Sequence, residues 1–149
     1  MAVQSSTTQQ NFSLVLSGDS LIKDNETLLT DAGRTDPLEP FTVLGKVAAS
    51  GKWVPLTDLT ATDGTGVARG IYLGDTVTAA ALADADVTGA PVLVGGFCTV
   101  DSSLLVFENS LTAASVGGAT TIGARTVEDD LRQIGVFLES TIDIDALEN

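Results

Sequence analysis

From Phe12 onward, apolar and polar residues alternate. In "NFSLVLS", Phe12, Leu14 and Leu16 fall on one side and Ser13 and Ser17 on the other, the two-residue period of a half-buried strand. "SGDS" then reads as a turn and "NETLLTD" as a second short strand. The loop "DAGRTDPLEP" follows, with Pro37 and Pro40. In "TVLGKVAASGKWVPL" two apolar runs flank Ser50 and Gly51, which predicts strand, turn and returning strand. Pro55 requires that the returning strand be short or lie on an edge, because proline cannot donate to a ladder. "VARGIYLGD" predicts a further strand after the turn-rich "TDLTATDGTG".

"TVTAAALADADV" is double-valued: its alanines favour a short helix, while its Thr and Val residues and the following glycine favour a loop. "APVLVGGFCTVDSSLLVF" predicts two or three strands, broken at Gly95-Gly96 and at Asp101-Ser102. "ENSLTAASVGGATTIGAR" is small and polar and reads as a long surface excursion. "TVEDDLRQ" carries the clearest helix start. Thr126 with Asp129 three residues later fits a capping box, and Glu128, Asp129 and Asp130 complement the positive end of a helix dipole. "IGVFLES" returns to strand.

The sum is about eight short strands and one firm helix, with no internal repeat and no regular alternation of strand and long helix. The expected fold class is mainly β, a β-rich α+β domain. It is a compact small β-barrel or sandwich with one or two short helices and a flexible N-terminal arm. The organisation is a polar arm over residues 1–11, a β domain over 12–140 and an acidic tail over 141–149.

Composition narrows the function more than the fold. A chain of 149 residues fits one domain and buries about 70% of its unfolded surface without a staple. Its single cysteine, Cys98, allows no internal disulfide. Histidine is absent, which removes imidazole chemistry and most zinc sites. Twenty acidic residues stand against seven basic ones, a net charge of −13. Nucleic acid and anionic membrane surfaces are therefore poor partners, since both are bound through Lys and Arg. The same charge suits a protein kept soluble at high copy number. The N-terminus "MAVQSSTTQQN" has no basic region followed by an apolar core, so no signal peptide is expected. No apolar run approaches the roughly 18 residues of a membrane helix. The expected setting is a cytoplasm, or a larger assembly built there.

The candidate chemical motifs fail on spacing. A phosphate loop needs G-x-x-x-x-G-K-[ST]; here Gly45 and Gly51 enclose five residues, and Trp53 follows Lys52 where Ser or Thr is required. "GTGVARG" has one residue too many for a dinucleotide motif and precedes a strand rather than a helix. "DADVTG" and "DIDALEN" lack the spaced oxygens of a calcium loop. Trp53 and Tyr72 each sit inside an apolar run, where packing is the default, and Cys98 between Phe97 and Val100 reads as a buried small hydrophobe. No catalytic, cofactor-binding or metal-binding residue is nominated, and the chain is not expected to be an enzyme.

The run "LEPFTVLGKVAASGKWVPL", followed by "TATDGTGVARGIYL", resembles the central signature of the phage lambda-type head decoration protein family. Val43, Leu44, Gly45, Lys46, Gly51, Lys52, Trp53, Pro55, Leu56, Asp63, Gly64, Ala68, Gly70 and Ile71 match it in order and at similar spacing. The flanks "FSLVLSGDSLIKDNETLLTDAG" and "LRQIGVFLES" are similar to the family's first strands and its ending, so the likeness covers roughly residues 11 to 140. The polar stretch before the helix and the acidic tail depart from it.

The resemblance implies a homotrimeric structural virion protein. Such trimers sit on the outer surface of an icosahedral phage capsid at three-fold and quasi-three-fold points and cement it against internal DNA pressure. The implied partners are the major capsid protein and further copies of the chain, with no nucleic acid and no membrane. It also gives the arm a role: Val3, Gln4, Ser5, Ser6, Thr7, Thr8, Gln9 and Gln10 would add a strand to the major capsid protein. The alternative reading is a trimeric fibre- or tail-associated module recognising a host-surface glycan, which requires exposed aromatic side chains.

Overall fold

A computed structural model describes residues 14–117 and 125–140. The first strand, β1, runs Val15–Leu28. β2 is Val43–Lys46, β3 Trp53–Pro55 and β4 Gly70–Tyr72. Helix α1 spans Ala79–Asp84, and the longest strand, β5, spans Val87–Asp101. A 3-10 turn at Ser102–Leu104 leads to helix α2, Val127–Gln133, and β6, Val136–Glu139, closes the domain.

The six strands form one sheet in the order β1-β3-β2-β4-β5-β6, and β1 also pairs with β5. The second pairing closes the first five strands into a small barrel, with β6 added outside on β5. Among the described residues the domain is mainly β with two short α-helices, as the residue pattern implies. Closure between β1 and β3 rests on one parallel partner pair, Leu28 with Trp53.

The main departure from the expected elements is length. "SGDS" is not a turn, and "NETLLTD" does not begin a separate strand: both belong to β1. β1 and β5 form one antiparallel ribbon from Val15 opposite Val100 to Leu28 opposite Val87. The Gly-containing stretches bend this ribbon without ending it. Register shifts lie between Val15 and Ser17 and between Gly18 and Ser20, as β-bulges produce. Gly95-Gly96 likewise lies within β5. Gly96 has φ of 123°, and a Cβ there would run into the Ser20 carbonyl of the facing strand. The break at Asp101-Ser102 is where expected. Among the described residues there are therefore six strands, two of them long, in place of about eight short ones.

The β2–β3 hairpin forms with Leu44 opposite Pro55 and Lys46 opposite Trp53. Its loop is wider than a two-residue turn. The Val47 N–H donates to the Lys52 carbonyl and the Gly51 N–H to the Val47 carbonyl, both at 2.8 Å, with Gly51 at φ of 70°. β3 is three residues long, in keeping with Pro55.

β2, β4 and the middle of β5, at Val92 and Leu93, are buried on both faces. Val43, Ile71, Leu93, Val100 and Val136 pack in one cluster with Leu14, Leu56, Val127 and Leu131. Their chain neighbours Leu44, Tyr72 and Val92 pack in the other, with Leu28, Leu38, Trp53 and Leu82. α2 covers the first face through Val127 and Leu131; α1 covers the second through Leu82. α1 resolves the ambiguity of "TVTAAALADADV" as a helix. The Thr78 hydroxyl caps it by accepting the Ala81 N–H at 3.2 Å, and Leu82 anchors it. α2 has the expected capping box: the Asp129 N–H donates to Thr126 Oγ1 at 3.1 Å and the Thr126 N–H to Asp129 Oδ2 at 3.0 Å.

The expected surface excursion is pinned at its base. Gly117 N–H donates to the Arg125 carbonyl, Val127 N–H to Ser115 and Glu128 N–H to Ala113. Leu111 packs against the first core cluster.

Candidate functional site

The proposed arm residues Val3, Gln4, Ser5, Ser6, Thr7, Thr8, Gln9 and Gln10 lie outside the described residues, as does the acidic tail from 141. What the structure places is the root of each. Leu14 is helical and fully buried, and locks the chain into the core just before β1. Val15 then pairs with Val100 on one side of β5, while Leu138 of β6 pairs with Val100 on the other. Both terminal segments thus leave from the same end of the barrel, roughly two strand spacings, or about 10 Å, apart.

Leu14 and Leu16 do not share a face, against the simple alternation. Leu14 is core, whereas Leu16 is 41% exposed. The helical conformation at Leu14 and the bulge between Val15 and Ser17 break the two-residue period.

The ribbon beyond the root is unusual for a strand in a small barrel. From Leu16 to Asn25, Asp19 apart, every residue of β1 is exposed. With described residues, the outer edge of β1 pairs only at Leu28. Four of the six large hydrophobic side chains exposed among the described residues belong to this ribbon: Leu16, Leu21, Ile22 and Phe97, the last at 61%. The register sets Ser20 opposite Phe97 and Ile22 opposite Gly95, so Ile22 and Phe97 share one face. Phe137 of β6 pairs with Thr99 and joins that face. Its ring meets Phe97 edge to face with centroids 5.4 Å apart.

Charge is sparse around that face, with Asp19 the one charged residue of β1 before Lys23. No charged residue occurs from Val87 to Val100 or from Ile134 to Leu138. The far half of β1 carries Lys23, Asp24 and Glu26, the kind of charge that discourages pairing at an open edge. Asp24 and Glu26 line an open depression of about 320 Å³ with Lys46, Trp53 and Arg69.

The hairpin lysines have structural partners, not a phosphate. Lys46 Nζ stands 5.1 Å from the Trp53 ring centroid, and Lys52 Nζ is 2.6 Å from Asp86 Oδ2. That contact, with the Thr30 N–H, holds the Asp86 carboxyl below the ordinary range. Trp53 and Tyr72 are 2% and 4% exposed, so neither offers a sugar-stacking platform. The Tyr72 hydroxyl donates to the Asp75 carbonyl at 2.7 Å. Cys98 is buried, and burial pushes its thiol up, away from the reactive thiolate. Among the described residues, no group of three acidic or cysteine side chains is placed to hold a metal.

The exposed apolar face was missed in the sequence because its members sit in runs that also supply the core. The usable signal was the absence of charge from Val87 to Val100 in a chain of net charge −13.

The family model described as Bacteriophage lambda head decoration protein D matches residues 6–121. The match includes Ser6 to Gln10 of the arm and all of β1 to β5, and ends before α2 and β6. No curated protein and no solved structure matches the chain.

Proposed function

The chain belongs to the phage lambda head decoration protein D family, and from that premise we propose that it is a homotrimeric cement protein of the phage head. The family consists of structural capsid proteins, not enzymes, and its place is in the virion on the head. The proposed trimer binds the outer surface at three-fold and quasi-three-fold points. There it contacts the major capsid protein and holds the shell against the pressure of packaged DNA.

The observation that carries this reading is the family match over residues 6–121, a span that includes the β2–β3 hairpin. Two further features support it. A net charge of −13 suits an outer surface better than one facing DNA. An uncharged arm rooted at the start of a strand is suited to strand addition, in which main-chain hydrogen bonds give affinity with little demand on side chains. Three such arms per trimer sum weak contacts into firm attachment.

Co-sedimentation with empty, expanded heads tests the reading, comparing the full chain with one lacking residues 2–11. Saturable binding that is lost on truncation is the expected result. Equal binding by both removes the arm from the mechanism, and no binding by either removes the head as partner.

A further inference from the structure

We propose that the charge-poor face of Ile22, Phe97 and Phe137, with Leu16 nearby, is where copies of this chain meet. This deepens the homotrimer of the preceding reading, and rests on it, by assigning the contact to particular side chains.

The occupant is argued from charge. Each copy carries −13, so two copies repel across most of their surfaces, and a carboxylate buried at the contact without a partner is costly. A like-charged copy can therefore approach only where acids are absent. On β5 that stretch is Val87 to Val100, on β6 it is Val136 to Leu138, and on β1 from Val15 to Ile22 only Asp19 interrupts it. A basic partner would be drawn instead to the acidic surfaces, which this face avoids.

The apolar content points the same way. Phe97 at 61% and Ile22 at 53% exposure are the two most exposed large hydrophobic side chains among the described residues, and they share a face. Aromatic residues in a charge-depleted patch are the composition of an interface centre. Among the described residues, the outer edge of β1 beside them has no strand partner before Leu28.

The placement has a consequence for the arms. Each arm leaves its barrel at Val15, on the same ribbon. Copies that meet along this ribbon gather their arms at one part of the assembly, where a single capsid site can engage all of them.

The test is sedimentation equilibrium of the full chain against Phe97→Asp and Ile22→Asp, with Leu104→Asp and Val116→Asp as exposed apolar controls. The wild type and both controls should have three times the 15.2 kDa mass of one chain. Phe97→Asp and Ile22→Asp should sediment as single chains, with association weakened at least ~30-fold. Unchanged circular dichroism would show that both remain folded, as their exposure predicts. Wild-type mass in both folded variants overturns the assignment, as does a wild type that stays monomeric to its solubility limit. The head-binding experiment fails separately. A wild-type trimer that ignores heads, with Phe97→Asp monomeric, leaves the interface standing and removes the attachment.

Discussion

Gly135 passes directly against the carbonyl of Gly96, with no room between them for a methyl group. The contact sits where the chain leaves α2 and enters β6, and the neighbouring Gly135 carbonyl accepts the Cys98 N–H at 3.0 Å. Gly135 has φ of 88°, a conformation that disfavours any side chain. Gly135→Ala is therefore expected to lose stability twice over, through backbone strain and through overlap, by about 3 kcal/mol in total. Urea denaturation measures it. A loss below about 1 kcal/mol would mean that β6 shifts away from β5 at little cost.

Arg34 anchors the loop between β1 and β2. Its side chain is 7% exposed and pairs through both terminal nitrogens with Glu108; Nε and Nη2 also donate to the Asp36 and Pro37 carbonyls, at 2.7 and 3.1 Å. The Glu108 contact raises the guanidinium further, so it stays charged throughout. Arg34→Ala leaves a partly buried carboxylate and two carbonyls without their donor. Because Glu108 keeps some contact with water, the expected loss is about 3 kcal/mol, at the low end for a broken buried pair. Lysine cannot reproduce the planar fork, so Arg34→Lys should recover less than half of the lost stability. Thermal melts of the two variants compare them directly.

The parts of the fold that could be read from sequence were those decided locally. The hairpin follows from two apolar runs around Gly51, and α2 from Thr126 and Asp129 at capping distance. Gly95-Gly96 and Gly18 were misread because a glycine marks either an end or a close approach, and only the partner strand decides. Gly96 faces Ser20 and Gly135, far away in sequence, so its role has no local signature. The interaction face was hidden for a similar reason. Phe97 and Ile22 look like core residues in any local window, and only the ribbon geometry exposes them. The arm carries a polar composition and a family match, which suggest its role but give no contact.

The α2 cap gives a pH-dependent test. The backbone N–H and then the hydroxyl of Thr126 hold the Asp129 carboxyl below its ordinary value of 3.8. A group with a lowered folded value stabilises above its unfolded value, and the effect fades as pH falls through the folded one. Thr126→Ala should lower the melting temperature by roughly 3 °C at neutral pH. The deficit should shrink as the pH is taken below 3.8, where both chains lose the charged cap. A deficit independent of pH would show that the hydroxyl acts through the Asp129 N–H it accepts and not through the carboxylate.

Asp130, one residue further along α2, should behave with the opposite sign. It is 7% exposed, and burial raises its carboxyl above 3.8 despite Arg125 and the Ala68 N–H, which favour the charged form. The Ala68 N–H donates to Oδ2 at 3.3 Å. Arg125 lies 3.1 Å from Oδ1, close enough for charge pairing but not aligned as a hydrogen bond. With the folded value raised, the folded state binds the proton more tightly than the unfolded one. Stability from this group therefore falls as pH rises from 3.8 through the raised value, and at neutral pH the buried charge is a net cost. Asp130→Asn keeps an acceptor for Ala68 and removes the charge. It should stabilise the domain at neutral pH by less than about 1 kcal/mol, since the half-exposed Arg125 already offsets part of the cost. Its advantage should vanish as the pH falls to 3.8 and below, where the carboxyl is protonated in the folded and the unfolded chain alike. Melting curves of both chains across that range decide the matter, and a variant less stable than wild type at neutral pH would show that the Arg125 pair outweighs burial.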